Sequence, residues 1–264
     1  MIKRDFHVHT TFCDGRSTAE EMVLAAISRG MDMIGFSGHA YTSRDVSWCM
    51  TLENTEKYIA EIRRLQHKYA GQIRILLGTE ADYFSDGPLE GYDYKIGSVH
   101  YVEIGGKLHE IDDSAEDHYR IAKEYCGGDL MALAERYYVQ EANVLSHTGA
   151  DVIGHFNLIE KFNEDDCMYD TSSERYRRAW QRAADVLLTY RKPFEINTGA
   201  ISRGYRTEPY PSREMIEYIA DRGGSFILSS DSHSTETLLY GFEEWETYAG
   251  RHGMKIMDSP LSRI

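Results

Sequence analysis

The order of the apolar segments is the feature of this sequence that most restricts its fold. Short apolar runs alternate with longer segments of helical periodicity along nearly the whole chain, the βαβ pattern of a parallel sheet. The predicted strands are 5–9, 31–37, 73–79, 94–99, 151–154, 193–197 and 225–229. Seven strands with intervening helices predict an α/β fold, a TIM-like barrel of the (β/α)8 kind but one unit short.

The segments between the strands carry helix signals. The first begins with Ser17 or Thr18 three residues before Glu20 or Glu21, a capping-box pattern, and continues with one apolar face. Further helices are predicted around 58–69, 115–126, 129–146, 173–191, 212–222 and 236–252. Because the sequence contains no internal repeat, low-complexity stretch or Pro/Gly/Ser-rich linker, we predict a single domain over residues 1–264.

Charge and cysteine content exclude several classes of protein. The formal net charge is −14, without a large cluster of lysine and arginine, so no nucleic-acid partner is expected. No run of about 18 apolar residues or signal-peptide pattern is present, so we expect no membrane partner and a cytoplasmic location. The four cysteines form no C-x-x-C pair, which argues against a zinc ribbon or a redox dithiol.

Histidines and carboxylates are concentrated at the ends of the predicted strands, where side chains of a parallel barrel converge on one mouth. Six of the eleven histidines fall there, whereas about one would be expected by chance. The full set is His7, His9, Asp14, His39, Glu80, His100, His155, Asp231 and His233. Imidazole and carboxylate without thiolate are ligands expected of zinc, iron or manganese, so the pattern predicts a metal centre.

An ordered series of motifs also carries a family resemblance. The segments are FHVHTTFCDG (6–15), FSGHA (36–40), GTEADY (78–83), GSVHY (97–101), GHFNLIEKF (154–162), EINTGAISRG (195–204), YPSREMI (210–216) and LSSDSH (228–233). Over nearly its full length the chain resembles the PHP (polymerase and histidinol phosphatase) superfamily, in its histidinol-phosphatase branch. The resemblance implies a distorted (β/α)7 barrel that holds three divalent metals, as zinc, iron or manganese.

The resemblance also implies three sets of ligands. One metal would be bound by His7, His9, Glu80 and Asp231, and Glu80 would bridge to a second metal bound by His100 and His155. A third metal would be bound by Asp14, His39 and His233. Many superfamily members have histidine at the position of Asp14, and aspartate is common in the histidinol-phosphatase branch.

The implied reaction is hydrolysis of L-histidinol phosphate to L-histidinol and phosphate, a step of histidine biosynthesis. Metals that share Glu80 would activate water and neutralise charge on the phosphoryl oxygens. Asp231 or a metal-bound water would protonate the leaving alkoxide. Arg203 and Lys161 are the candidates to bind the phosphate, and Arg206 is a weaker one. Aromatic side chains that follow the ligands are candidates to line the pocket, namely Tyr41, Tyr83, Tyr101 and Tyr205.

Two other functions remain open from the sequence. The same site could act on another small phosphomonoester or on oligonucleotides, although a polynucleotide groove is expected to be basic and this chain is acidic. A non-catalytic domain that retains the fold is the third interpretation, but such a domain should have lost ligands. The sequence does not indicate an oligomeric state.

Overall fold

The computed structural model describes residues 2–44 and 47–261. Its main feature is an eight-stranded sheet in which every pair of neighbouring strands is parallel. In spatial order the strands are β1 (Arg4–Asp5), β2 (Met33–Phe36), β3 (Arg74–Asp82), β4 (Tyr94–Ser98), β7 (Val152–Ile153), β8 (Phe194–Asn197), β9 (Ser225–Ser229) and β10 (Lys255–Ile256). A separate antiparallel hairpin consists of β5 (Tyr101–Ile104) and β6 (Lys107–Glu110).

The sheet curls so that its first strand approaches the segment that follows β9. An isolated parallel bridge joins Val8 to Ser232. The His9 amide donates to the Ser232 carbonyl at 2.8 Å, and the Ser232 amide donates to the His7 carbonyl at 3.0 Å. The prediction of a parallel α/β sheet is therefore confirmed, and the curl of the sheet is consistent with a TIM-like barrel.

The helices follow the strands in the predicted alternation. They are α1 (Ala19–Ser28), α2 (Leu52–Lys68), α3 (Ala115–Tyr125), α4 (Leu130–Glu141), α5 (Val144–Thr148), α6 (Glu174–Leu188), α7 (Gly199–Ser202), α8 (Arg213–Asp221) and α9 (Phe242–Arg251). The capping box of α1 forms between Thr18 and Glu21, which satisfies backbone donors at the helix start. In the part of the chain that the structure describes, none of these helices is both long and apolar enough to cross a membrane.

Several elements differ from the sequence prediction. The helix predicted over 129–146 is two helices, because the Asn143 side chain donates to the Val139 carbonyl at 2.8 Å and competes with the backbone pattern. The last helix begins at Phe242 rather than near 236, since Leu239 has a φ of 60°. The hairpin β5–β6 and the short strand β10 were not predicted, although the Gly105–Gly106 pair between the hairpin strands is a turn signal.

Tyr94 fixes the strands that carry the first candidate ligands. Its buried hydroxyl donates to the carbonyl of Phe6 and, at 3.1 Å, to that of Phe36. Gly78 makes room for the ring, because a Cβ atom there would lie 2.4 Å from it. Tyr94 thereby links β4 to the end of β2 and to the residue that follows β1, across the strand β3 that carries Glu80.

Candidate metal centre

The nine side chains predicted as ligands meet at one end of the curled sheet. Those from the ends of β1, β2, β4, β7 and β9 surround Glu80, which lies within β3. Seven of the nine residues are buried, and Asp14 and His233 are the more exposed members. The convergence expected from strand ends is thus observed.

The Glu80 carboxylate lies at the centre of five imidazole rings. Its Oε2 atom lies 2.8 Å from His39 Nδ1, 3.2 Å from His7 Nε2 and 3.5 Å from His9 Nε2. Its Oε1 atom lies 2.9 Å from His155 Nε2 and 3.4 Å from His100 Nε2. Each carboxylate oxygen therefore faces a different group of rings, as a bridging ligand requires.

The first predicted ligand set has the spacing of a tetrahedral site. His7 Nε2 lies 3.2 Å from Glu80 Oε2 and 3.6 Å from Asp231 Oδ1. The corresponding distances from His9 Nε2 are 3.5 and 3.3 Å. Four ligands at about 2.0–2.1 Å from a zinc ion stand roughly 3.3 Å apart, so these atoms are spaced to share one ion.

The third predicted set lies nearer the opening. Asp14 Oδ2 lies 3.1 Å from His233 Nε2 and 3.7 Å from His39 Nε2, and Asp14 Oδ1 lies 3.5 Å from His9 Nδ1. His39 directs its other nitrogen towards Glu80, so that donor atoms of His39, Glu80 and His100 also lie within 4.8 Å of one another. His39 thus lies between the second and third predicted sets.

Unsatisfied polar atoms indicate that this cluster binds a ligand. Four atoms at its centre are buried without a well-oriented hydrogen bond, namely His7 Nε2, His9 Nε2, His39 Nδ1 and Glu80 Oε2, although the last two lie 2.8 Å apart. Buried polar groups in proteins are nearly always hydrogen-bonded, and a group of four exceptions requires an explanation. Imidazole nitrogen and carboxylate oxygen are suitable ligands for a divalent metal, and the residues therefore fit such an ion.

Neighbouring carboxylates raise the pKa values of two histidines in the cluster. Burial lowers the pKa of His7, but the carboxylates of Glu195, Glu80 and Asp231 outweigh it and raise that pKa well above its usual value. Burial is likewise outweighed at His39, whose pKa rises to about 9 beside Glu80 and Asp14. We therefore expect these two rings to be protonated near neutral pH when no metal is bound.

This protonation predicts that metal binding releases protons. Near pH 7, a divalent ion must displace the protons of His7 and His39, because neutral imidazole is the ligand form. We expect the apparent affinity for zinc to fall as the pH is lowered, and proton release to decrease as the pH rises through about 9, where His39 is already losing its proton. Calorimetric titration in buffers of different ionisation enthalpy measures this release, and zinc binding without release near pH 7 would contradict it.

Two buried carboxylates that support the ligands were missed by the sequence analysis. Glu195 accepts a hydrogen bond from His7 Nδ1 at 2.7 Å and from the His155 amide at 3.0 Å. Asp82 accepts from the His100 amide at 2.8 Å, with His100 Nδ1 at 3.3 Å. Both lie within strands rather than after them, and the available signal was a carboxylate between two apolar neighbours in the sequence.

Glu195→Gln is expected to weaken metal binding by about 10- to 100-fold, because a carboxylate behind a ligating histidine fixes its tautomer and raises its basicity. Competition with a chelator of known affinity measures the change. Glu56→Gln is the matched control, since Glu56 is exposed on α2. Equal affinities in the two variants would show that Glu195 does not support a metal ligand.

The candidate phosphate-binding residues line a cavity of about 270 Å³ above the cluster. Arg203 donates to Asp231 Oδ2 at 3.0 Å and to the Asp231 carbonyl at 3.1 Å. Gly199 permits this pairing, because a Cβ atom there would lie 2.8 Å from Asp231 Oδ2. Lys161 also lines the cavity, as does Arg16, which the sequence analysis did not select.

Other candidates take different positions. Arg206 forms a buried ion pair with Glu160 at 2.9 Å. Among the four tyrosines, Tyr205 lines the cavity, whereas Tyr83 stacks on His147 with ring centroids 3.9 Å apart.

Comparisons with known proteins agree with this geometry. Residues 5–199 match the PHP domain family. The chain is 30% identical over 256 residues to a protein of Deinococcus radiodurans named "Probable histidinol-phosphatase", covering 91% of this chain and 90% of that one. It is 25% identical to the histidinol-phosphatase of Bacillus subtilis, covering 92% of this chain and 98% of the relative.

A solved structure shares the fold. It is that of a histidinol phosphate phosphatase from Lactococcus lactis complexed with zinc, L-histidinol and phosphate. The TM-score is 0.73 at 22% identity, over 97% of this chain and 95% of the other. Together with the family match and the curated relatives, this shows that the chain belongs to the PHP domain family, in the branch whose named members are histidinol-phosphatases.

Proposed function

We propose that this protein is a metal-dependent phosphomonoesterase that hydrolyses L-histidinol phosphate to L-histidinol and phosphate. The observation that carries the proposal is the buried Glu80 carboxylate, which faces five imidazoles below a cavity lined by Arg203 and Lys161. The substrate is inferred from the relatives named as histidinol-phosphatases and from the ligands of the Lactococcus protein. The reaction would belong to histidine biosynthesis.

The metal ligands are proposed in the three sets implied by the sequence. His7, His9, Glu80 and Asp231 would bind one ion, Glu80 with His100 and His155 a second, and Asp14 with His39 and His233 a third. Zinc, iron and manganese all suit these donors. Divalent ions bound there would activate water as the nucleophile and neutralise charge on the phosphoryl oxygens.

Arg203 and Lys161 are proposed to orient the phosphate. The Arg203 guanidinium is about one-third exposed while it contacts Asp231, so it remains accessible to an anion in the cavity. Burial raises the pKa of Asp231, but Arg203 and His7 outweigh it and hold that pKa well below its usual value. These contacts favour Asp231 as an ionised ligand over Asp231 as the proton donor to the leaving alkoxide.

The remaining expectations are proposals about architecture and setting. We infer a distorted (β/α)7 barrel in which the Val8–Ser232 bridge closes the ring of seven strands and β10 extends its edge. One domain over 1–264 is supported by the Arg4–Asp258 hydrogen bond at 2.6 Å, which joins the two chain ends. A cytoplasmic location and the absence of a nucleic-acid partner stay predictions.

A phosphate-release screen tests the function. The purified protein is loaded separately with zinc, iron(II) and manganese and given L-histidinol phosphate, other phosphomonoesters, a phosphodiester and an oligonucleotide. We expect the highest kcat/KM for L-histidinol phosphate, since the cavity of about 270 Å³ suits a small ester. Good turnover of other monoesters without release from this one would contradict the proposed substrate, and elemental analysis that finds no bound metal would favour a non-catalytic domain.

A further inference from the structure

One carboxylate in the cavity has no place in the proposed metal sites. In the part of the chain that the structure describes, four acidic residues line this cavity, namely Asp14, Glu80, Asp112 and Asp231. Three of them belong to the proposed ligand sets. Asp112 does not, and it lies after β6, in the loop that leads to α3.

Asp112 belongs to one wall of the cavity, which we define as Asp112, Lys161 and Tyr205. The backbone carbonyl of Asp112 accepts a hydrogen bond from Lys161 Nζ, which lies 4.8 Å from the centroid of the Tyr205 ring. The Asp112 carboxylate lies 3.8 Å from Lys161 Nζ, beyond hydrogen-bond distance. With 26% of its side chain exposed, this carboxylate remains available to a molecule in the cavity.

The Asp112 carboxylate opposes phosphate binding, because its ion-pair partner at 3.8 Å, the Lys161 ammonium, is also a cation proposed to bind the phosphate. The rest of the proposed phosphate site is cationic, with Arg203 and Lys161 beside the metals. An additional negative charge in the same small cavity would repel the phosphate dianion, and water screens charges only partly at a half-buried site. A substrate that carries its own cation removes this conflict.

We propose that Asp112 binds the ammonium group of an amino-alcohol phosphate and so determines specificity for substrates that carry an amine beside the ester. This inference rests on the proposed function, since L-histidinol phosphate has such an ammonium group. The ammonium offers three donors, and a partly buried carboxylate is a strong charge-assisted acceptor for them. The phosphate meets Arg203 and Lys161 while the amine meets Asp112, so the two ends of the substrate are distinguished by charge.

A second role for Asp112 makes a different prediction. If the residue served to hold Lys161 in place, its loss would weaken binding of every phosphate ester and of inorganic phosphate alike. The Asp112→Asn variant keeps the backbone carbonyl that accepts from Lys161 and removes only the charge. The variant therefore separates recognition of the amine from support of Lys161.

The test compares two esters in the metal-loaded full chain. One is L-histidinol phosphate, and the other is the same ester with hydrogen in place of the amino group. We expect the wild type to have a lower KM for the amine-bearing ester than for the other ester. In Asp112→Asn the ratio of the two KM values should fall by about 10- to 100-fold, because a hydrogen bond between charged groups is lost. Binding of L-histidinol, measured by calorimetry, should weaken in parallel.

Two further variants complete the design. Asp113→Asn is the matched control, since Asp113 is the exposed neighbour and should leave the preference between esters as in the wild type. Lys161→Met should raise the inhibition constant of inorganic phosphate, which Asp112→Asn should not do. An equal rise of KM for both esters in Asp112→Asn, with weaker phosphate inhibition, would overturn the proposal and leave the proposed function intact. If the wild type hydrolysed neither ester, the proposed function would fail and this inference with it.

Discussion

Replacing Glu80 with glutamine is expected to lower kcat/KM by about 10²- to 10⁴-fold. A decrease of this size corresponds to the several kcal/mol by which metal ions stabilise the transition state of such reactions. Glutamine keeps the size of the side chain but removes the charge that faces five imidazoles and bridges two proposed metals. Elemental analysis should show fewer metal ions per chain, and phosphate release should fall in proportion.

A buried control distinguishes metal loss from misfolding. Glu141 is also fully buried, but it hydrogen-bonds to the Tyr137 hydroxyl at 3.3 Å rather than to the cluster. Glu141→Gln should therefore retain its metals and its activity, while thermal unfolding shows that both variants are folded. If Glu80→Gln kept a full metal complement and wild-type activity, the central role of this carboxylate would be wrong.

Replacing Arg203 with methionine is expected to lower kcat/KM by about 10²- to 10³-fold, as for loss of one preorganised donor to a developing oxyanion. Arg203 lines the cavity and donates a hydrogen bond to the Asp231 carboxylate. Its guanidinium also lies 3.3 Å from the Nδ1 atom of His233. Removal of the guanidinium should weaken inhibition by inorganic phosphate as well. Steady-state kinetics with phosphate as the inhibitor measures both effects.

The metal content of the Arg203 variant separates two explanations. A phosphate-binding residue should leave the metal content close to that of the wild type, whereas a residue that only positions Asp231 should lower it. Added guanidine should restore part of the activity in Arg203→Ala if the cation itself is needed. Arg178→Met is the control, because Arg178 is exposed on α6 and pairs only with Glu174 in the described structure. A loss of metal with no change in phosphate inhibition would contradict the phosphate-binding role.

The convergence of the nine side chains could be predicted because a parallel barrel brings the ends of its strands to one mouth. His7 and His9 are alternate residues at the end of the first predicted strand, so their side chains were expected on one side. The predicted positions of His39, His100 and His155 depended on the same rule. The position of the cluster at one end of the barrel could therefore be predicted from the sequence alone.

The supporting residues could not be predicted in the same way. Glu195 contacts His7 through a hydrogen bond between residues 188 positions apart, and no local pattern encodes that partner. Asp231 adopts a φ of 50°, an uncommon backbone conformation, and its carboxylate accepts a hydrogen bond from Arg203; the motif LSSDSH reveals neither feature. Asp112 depends on an unpredicted hairpin that changes the path of the chain between His100 and α3.

The bridge between Val8 and Ser232 has a consequence for biosynthesis of the active protein. His7 and His9 are synthesised long before their neighbour Asp231, and the nearby Asp5–Ser230 hydrogen bond spans 225 residues. Contacts of such long sequence separation form slowly and late in folding. A chain in which Asp231 has not yet been synthesised would thus lack one of the proposed ligands of the first metal. We therefore expect tight metal binding only after the segment that follows β9 has reached β1.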